Sequence, residues 1–283
     1  GPLSRAARLL GALPAAPARD AALIGLLDRL TGLRTPAAAQ PRRLPATGRA
    51  VAFFAGCASR ELLPGPQRRL LDLLSASGID VTIPDRQTCC GALATHTGRP
   101  ERAHAQQSVN VAALSVEAGG AGALLVEAAG CALELSGYPA PIAGAVTDVT
   151  VYLGDMPLPP LREVPLRVAY HDPCHARHGR GIVDEPRGLL HRIPGLEVLE
   201  PDEAEVCCGS GGAYALLHPE LSEDMGLRKA GFMAQTGAEL VLTSNPGCLG
   251  QISDALARIA PDLPVLPLTD LVWYAALSVT PIK

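Results

Sequence analysis

The sequence predicts an α/β fold made of two small α/β modules related by a pseudo-twofold. Each module has a parallel sheet and carries cysteines at the C-terminal ends of its strands. Three observations predict this. Short apolar runs alternate with helical periodicities along both halves of the chain, the pattern of parallel strands covered by helices. All eight cysteines fall into two sets: Cys57, Cys89, Cys90 and Cys131 recur as Cys174, Cys207, Cys208 and Cys248, each 117 or 118 residues further on. Each set holds a vicinal pair followed by glycine, Cys89-Cys90-Gly91 and Cys207-Cys208-Gly209. Scattered structural cysteines do not repeat at one offset, so the chain reads as two copies of one metal-binding module.

Taken in order, residues 1–48 form an N-terminal helical segment and linker. Arg5 to Leu13 and Arg19 to Leu30 are expected to be short helices split at Pro14 and Pro17, packed on the next module through Leu23, Leu26, Leu27 and Leu30. Thr35 to Gly48 is a Pro/Ala/Arg linker without periodicity. The first module, 49–140, opens with the apolar run Ala50 to Ala55, a buried strand that delivers Cys57. Leu70, Leu71, Leu73 and Leu74 mark a helix over 66–77 that stops at Gly78. Ile79 to Ile83 reads as a strand leading to Cys89-Cys90. A helix over 99–117 precedes the strand Ala123 to Glu127, which ends at Gly130-Cys131.

Residues 141–165 are proline-rich and read as a connection, with Val149 to Leu153 as an extra strand. The second module, 166–283, repeats the plan. Leu166 to Tyr170 leads to His171-Asp172-Pro173-Cys174, and a helix over 186–193 leads to the strand 196–199 and then Cys207-Cys208. A helix over 219–237 leads to Leu240 to Ser244 and Asn245-Pro246-Gly247-Cys248. Val265-Leu266 and a helix containing Trp273 close the fold.

Composition excludes several function classes. The 283 residues suffice for two ordinary cores, and with 3% aromatics those cores rest on Leu, Val, Ala and Ile. A net charge of −4 and a pI near 6.0 leave no electrostatic footprint for nucleic acid. No apolar run reaches the ~18 residues of a membrane span, and no segment has a signal peptide's layout. Disulfide scaffolds are short chains lacking a core, and vicinal cysteines form strained rings, so a reducing, cytoplasmic setting with thiolate ligands is expected. The Gly1-Pro2 start reads as a processed chain or part of a longer one.

Four thiolates per module satisfy a [4Fe–4S] cluster or a closed tetrahedral zinc site. The CxxC…CxxC spacing of zinc ribbons is absent, which favours iron–sulfur. Zinc in one module and directly redox-active vicinal thiols remain open as alternatives. Gly91, Gly209, Gly211 and Gly212 allow positive φ and bring backbone amides near sulfur, where they stabilise its negative charge. His171 or Asp172 is expected to orient its loop by hydrogen bonding, with ligation by His171, His175 or His178 a lesser reading. His96, His104, His191 and His218 read as surface residues, and Asn245 as a turn residue first and a donor to the site second. Glu127, Asp202, Glu203 and Glu205 show no spacing that demands acid–base work, and no phosphate loop or dinucleotide fingerprint is present.

The repeated Cys…Cys-Cys-Gly…Cys plan resembles the cysteine-rich CCG domains of heterodisulfide reductase subunits and of the iron–sulfur subunits of 2-hydroxy-acid dehydrogenases. The resemblance is carried by His171-Asp-Pro-Cys174-His-Ala-Arg-His-Gly179, Cys207-Cys-Gly-Ser-Gly-Gly-Ala-Tyr214 and Asn245-Pro-Gly-Cys248. It spans about residues 50 to 275. The second half most resembles the glycolate oxidase iron–sulfur subunit, and lactate-utilisation iron–sulfur proteins are related.

This resemblance implies an electron-transfer subunit without its own substrate site. It would take electrons from an FAD-containing dehydrogenase subunit toward quinone, through clusters on the eight cysteines. A ferredoxin-like domain or subunit is implied as a further partner, and contact with the inner face of the membrane would be peripheral at most. Heterodisulfide reductase modules end in CxxC and so offer a fifth thiolate. Here the corresponding positions are Glu134 and Gln251, which puts that chemistry in doubt. A thiol/disulfide redox catalyst and a zinc-stabilised docking subunit are the alternative roles.

Overall fold

The computed structural model of the protein describes residues 16–32, 40–120 and 122–277. The expected helix over Arg5 to Leu13 and the first part of the linker lie outside the described residues. The architecture is two four-stranded parallel sheets of identical order, β2-β1-β3-β4 and β6-β5-β7-β8. The first sheet comprises β1 (Arg49–Phe54), β2 (Ile79–Thr82), β3 (Leu124–Val126) and β4 (Val146–Asp148). The second comprises β5 (Arg167–His171), β6 (Glu197–Leu199), β7 (Leu240–Thr243) and β8 (Val265–Pro267). Every strand pair is parallel. The duplicated cysteine spacing is thus mirrored by a duplicated fold.

The central strands β1, β3, β5 and β7 are buried on both faces, which is why they read as apolar runs. Alternation decides which core each side chain enters. Val51 and Phe53 of β1, Leu125 of β3, Val168 and Tyr170 of β5, and Leu240 and Leu242 of β7 face one shared central core. Their neighbours Ala52, Phe54, Leu124 and Val126 face a core private to the first module. Ala169 and Val241 face a core private to the second. Leu23, Ile24 and Leu27, on the helix Ala16–Thr31, also enter the shared core. Pro17 is the second residue of that helix, which begins at Ala16, three residues before the expected Arg19, and the expected break at Pro14 lies outside the described residues. The linker is ordered where described, with the amides of Leu44 and Thr47 donating to the carbonyls of Ala76 and Gly78.

The 141–165 stretch does more than connect. It supplies β4 to the first sheet, and the residues expected to form an extra strand, Val149 to Leu153, form the helix Val149–Asp155 instead. The buried Asp148 carboxylate accepts from the Thr150 amide at 2.8 Å and caps that helix, overriding the β-branched run. Val149 and Leu153, one turn apart, then fill the shared core.

The modules exchange their last helices. Val149–Asp155 of the first packs on Asp184–His191 of the second, and Leu268–Ala275 of the second packs on Pro64–Ala76 of the first. A buried bidentate ion pair fixes the second contact. Arg69 donates to both carboxylate oxygens of Asp270, at 2.9 and 2.6 Å, with its guanidinium carbon 5.6 Å from the centroid of the Trp273 ring.

Glu127 lies beside this pair in a small cavity between the modules that is also lined by Thr150, Thr243 and Thr269. Burial first, and the Asp270 carboxylate second, push its carboxyl up to about 7. A carboxyl raised from its usual ~4.3 binds more protons when folded, so stability falls as pH rises from there to 7 and stays reduced above. Glu127→Gln should therefore raise the unfolding free energy at pH 8, by up to roughly 3 kcal/mol, with the gain vanishing near pH 4. Paired urea titrations at the two pH values measure it; an equal gain at both would show that burial of charge is not the cause.

Candidate metal centre

All eight sequence-predicted cysteines are free thiols, and the fold gathers them into the two expected quartets. Cys57 opens the helix Cys57–Leu62 after β1, and Cys131 lies in the first turn of Ala129–Ser136 after β3. Cys174 caps a π-helical turn, His175–Gly179, after β5, and Cys248 lies in the first turn of Pro246–Ile259 after β7. Helix starts present unpaired N–H groups and the positive end of the dipole, which favour thiolate over thiol. The vicinal pairs come from the loops that follow the edge strands β2 and β6. Strand C-terminal ends next to the point where chain order reverses form the crevice of such sheets.

The sulfurs are close. Cys57 and Cys89 are 3.6 Å apart, and Cys174 and Cys207 3.9 Å. Cys131 interacts with Cys90 and Cys57, as Cys248 does with Cys208 and Cys174. Donation from Cys57 and then Cys90, aided by the Gly91 amide, pushes the Cys89 thiol down to about 2. Cys174, Cys208 and the Gly209 amide do the same for Cys207, also down to about 2. Each quartet therefore holds a thiolate that its neighbours stabilise. The Gly209 amide lies 3.4 Å from the Cys207 sulfur, as expected of a backbone donor beside thiolate.

Glycine is required where the vicinal pairs turn. Gly91 and Gly209 have φ of +93° and +87°, and a Cβ on Gly209 would come within 2.6 Å of the Ser222 carbonyl oxygen. Asn245 takes its second expected role, donating from Nδ2 to the Cys248 sulfur at 3.3 Å. Asp172 orients its loop as expected, accepting from Arg177 at 2.7 Å and Arg187 at 2.9 Å. His171 does not share that task. His96, His104, His191 and His218 are exposed.

Sequence reasoning missed the groups that brace the vicinal pairs. Asn110 is fully buried, donates to the Cys89 carbonyl at 2.9 Å and accepts from the Thr88 amide at 2.7 Å. The Tyr138 hydroxyl donates to the Cys90 carbonyl at 2.8 Å. In the second module the buried Lys229 donates to the carbonyls of Glu203 and Ala204, and Ser222 Oγ donates to the Gly209 carbonyl at 2.9 Å. The detectable signal was position. Lys229 shares the buried helix face with Ser222, Gly226 and Met233, where a lone cation needs a partner.

The two quartets lie along the junction of the modules. Ala129–Ser136, which carries Cys131, packs on the His175–Gly179 turn beside Cys174, and Pro246–Ile259, which carries Cys248, packs on Cys57–Leu62. The first contact is close on both sides. A Cβ on Gly130 would lie 3.1 Å from His175 Nδ1, and one on Gly179 2.7 Å from Leu133.

The cysteine-rich domain (CCG) family matches this chain twice, over residues 51–136 and 168–253, one match per quartet. The chain belongs to the CCG family. Among its relatives, a fumarate reductase (CoM/CoB) subunit of Methanothermobacter marburgensis is 34% identical over 75% of this chain and 43% of its own length. A probable glycolate oxidase iron-sulfur subunit of Bacillus subtilis is 32% identical over 84% of this chain and 58% of its own. Lactate utilization protein A of Oceanobacillus iheyensis is 26% identical over 78% and 95%. The CCG chain thus spans about half the length of the first two relatives. A crystal structure of a hypothetical protein from Helicobacter pylori shares the fold, with a TM-score of 0.57 at 12% identity over 92% of this chain and 54% of that one. Among the described residues no helix is long and apolar enough to cross a membrane.

Proposed function

We propose that each cysteine quartet holds an iron–sulfur cluster, [4Fe–4S] by donor count, and that the chain is an electron-transfer subunit of a flavin-linked 2-hydroxy-acid dehydrogenase of glycolate type. The observation that carries this reading is the convergence of four thiols, twice, at the same place in a duplicated fold. The donor set fits the group: soft thiolates on rigid elements, with backbone and Asn245 donors at sulfur. A bound cluster supplies one-electron transfer at a site that needs no substrate pocket. This chain's residues hold the sulfurs, exclude water around Cys90, Cys208 and Cys248, and set the local charge.

The electrons would come from an FAD-containing partner and pass toward quinone, with a ferredoxin-like domain or subunit in the path. The relatives named as glycolate oxidase iron-sulfur subunits and lactate utilization proteins support this reading. Five-thiolate disulfide chemistry is disfavoured. Glu134 and Gln251 stand where the fifth thiol would be, and both are engaged, Glu134 accepting from Thr95 at 2.9 Å and Gln251 donating to the Ser222 carbonyl at 2.7 Å.

The test is metal and labile-sulfide analysis of anaerobically purified protein, followed by mixing with an FAD-containing hydroxy-acid dehydrogenase and glycolate. Iron and sulfide with bleaching of the visible absorption on mixing are the expected result. Zinc without iron or sulfide would sink the relay.

A further inference from the structure

The two quartets match in their sulfurs and differ in one residue. Three positions before Cys57, β1 ends in Phe54; three positions before Cys174, β5 ends in His171. Phe54 packs in the first module's private core beside Cys90. His171 takes the equivalent place in the second module and is fully buried. Neither ring nitrogen makes a well-formed hydrogen bond among the described residues, and the group it interacts with at close range is the Cys248 sulfur. An imidazole with nothing better than a sulfur beside it costs more there than a phenyl ring would, unless the nitrogen does something.

Its surroundings say what. One His171 ring nitrogen and the sulfurs of Cys208 and Cys248 all lie within 4.8 Å of one another, and all three residues are buried. The adjacent Asp172 is committed to Arg177 and Arg187, and Asn245 to Cys248, so no carboxylate or amide competes for the ring. Neutral imidazole is a good borderline ligand for iron and zinc alike.

We propose that His171 is a nitrogen ligand of the second metal centre, giving it a mixed sulfur and nitrogen donor set, whereas the first centre is bound by sulfur alone. The inference rests on the cluster reading above for the identity of the metal, and on His171 alone for the ligand. Four thiolates already satisfy four irons, so His171 would take the place of one of them, and a neutral imidazole there would leave the centre less negative and raise its potential, as histidine ligation does in Rieske centres. The second centre would then be the electron's downhill stop within this chain.

The experiment is pulsed electron paramagnetic resonance on the full chain, produced with ¹⁵N-histidine, purified anaerobically and reduced with dithionite. The expected result is a strong nitrogen coupling that changes with the isotope, is lost in His171→Phe and survives in His175→Ala. Absence of any histidine coupling in the labelled native protein overturns the proposal, even if His171→Phe fails to fold or loads no metal. Coupling that survives in His171→Phe overturns it equally. Iron and sulfide analysis of the same sample separates failure of the cluster reading from failure of the ligand. If the metal is zinc, X-ray absorption at the zinc edge must show a nitrogen shell that His171→Phe removes, and a sulfur-only shell counts against the proposal.

Discussion

Cys208→Ser is expected to strip the second centre of metal and leave the first loaded. Cys208 is 1% exposed and sits in the second module's private core with Ala169, Val241 and Ile252. Serine nearly matches its volume but offers a hard, protonated oxygen where a soft thiolate is needed. Its hydroxyl, without a partner there, would cost a further ~1–3 kcal/mol. Metal bound to preformed thiolates contributes folding energy outright, so the loss is both chemical and structural. With two equally loaded centres, iron per chain should fall to about half, with the first centre's signal intact. Cys90→Ser is the mirror experiment, and the two variants should leave complementary spectra. Full iron content in the Cys208 variant would remove that cysteine from the ligand set.

Arg69→Ala should be the most damaging change remote from the sulfurs. Its guanidinium forms two short bonds to Asp270, with side-chain exposures of 5% and 1%. Truncation leaves a carboxylate stranded in the core and near Glu127, whose carboxyl Asp270 already pushes up. Breaking a buried pair from one side costs about 3–5 kcal/mol, whereas replacing both partners with apolar groups is often close to neutral. Urea unfolding followed by circular dichroism should show that loss in Arg69→Ala and recover most of it in the double variant Arg69→Met/Asp270→Leu. A loss under ~1 kcal/mol in the single variant would mean that the pair contributes no more than an exposed one.

Much of the site was legible in the chain because cysteine is rare and its spacing survives duplication. The eight thiols, the glycine turns and the donor role of Asn245 were all visible at sequence level. What was not legible depended on tertiary context. Val149 to Leu153 has strand composition, yet a single capping carboxylate at Asp148 and a one-turn spacing into the shared core made it a helix. Asn110 and Lys229 look like ordinary helix residues until the fold turns them toward the cysteine loops. His171 was readable as a residue near Cys174. Its complete burial, its nearness to the Cys208 and Cys248 sulfurs and its contrast with Phe54 emerge only in the fold.

The exchanged terminal helices have a consequence for the order of events during synthesis. Arg69 and Asp270 are 201 residues apart in sequence, so the Pro64–Ala76 helix is made long before the helix that seals it. The first module's strands and all four of its cysteines are made before that cover exists. Contacts of such long sequence separation form late and slowly. The first module therefore cannot complete its packing until the second has been made, and docking of Leu268–Ala275 couples the two halves.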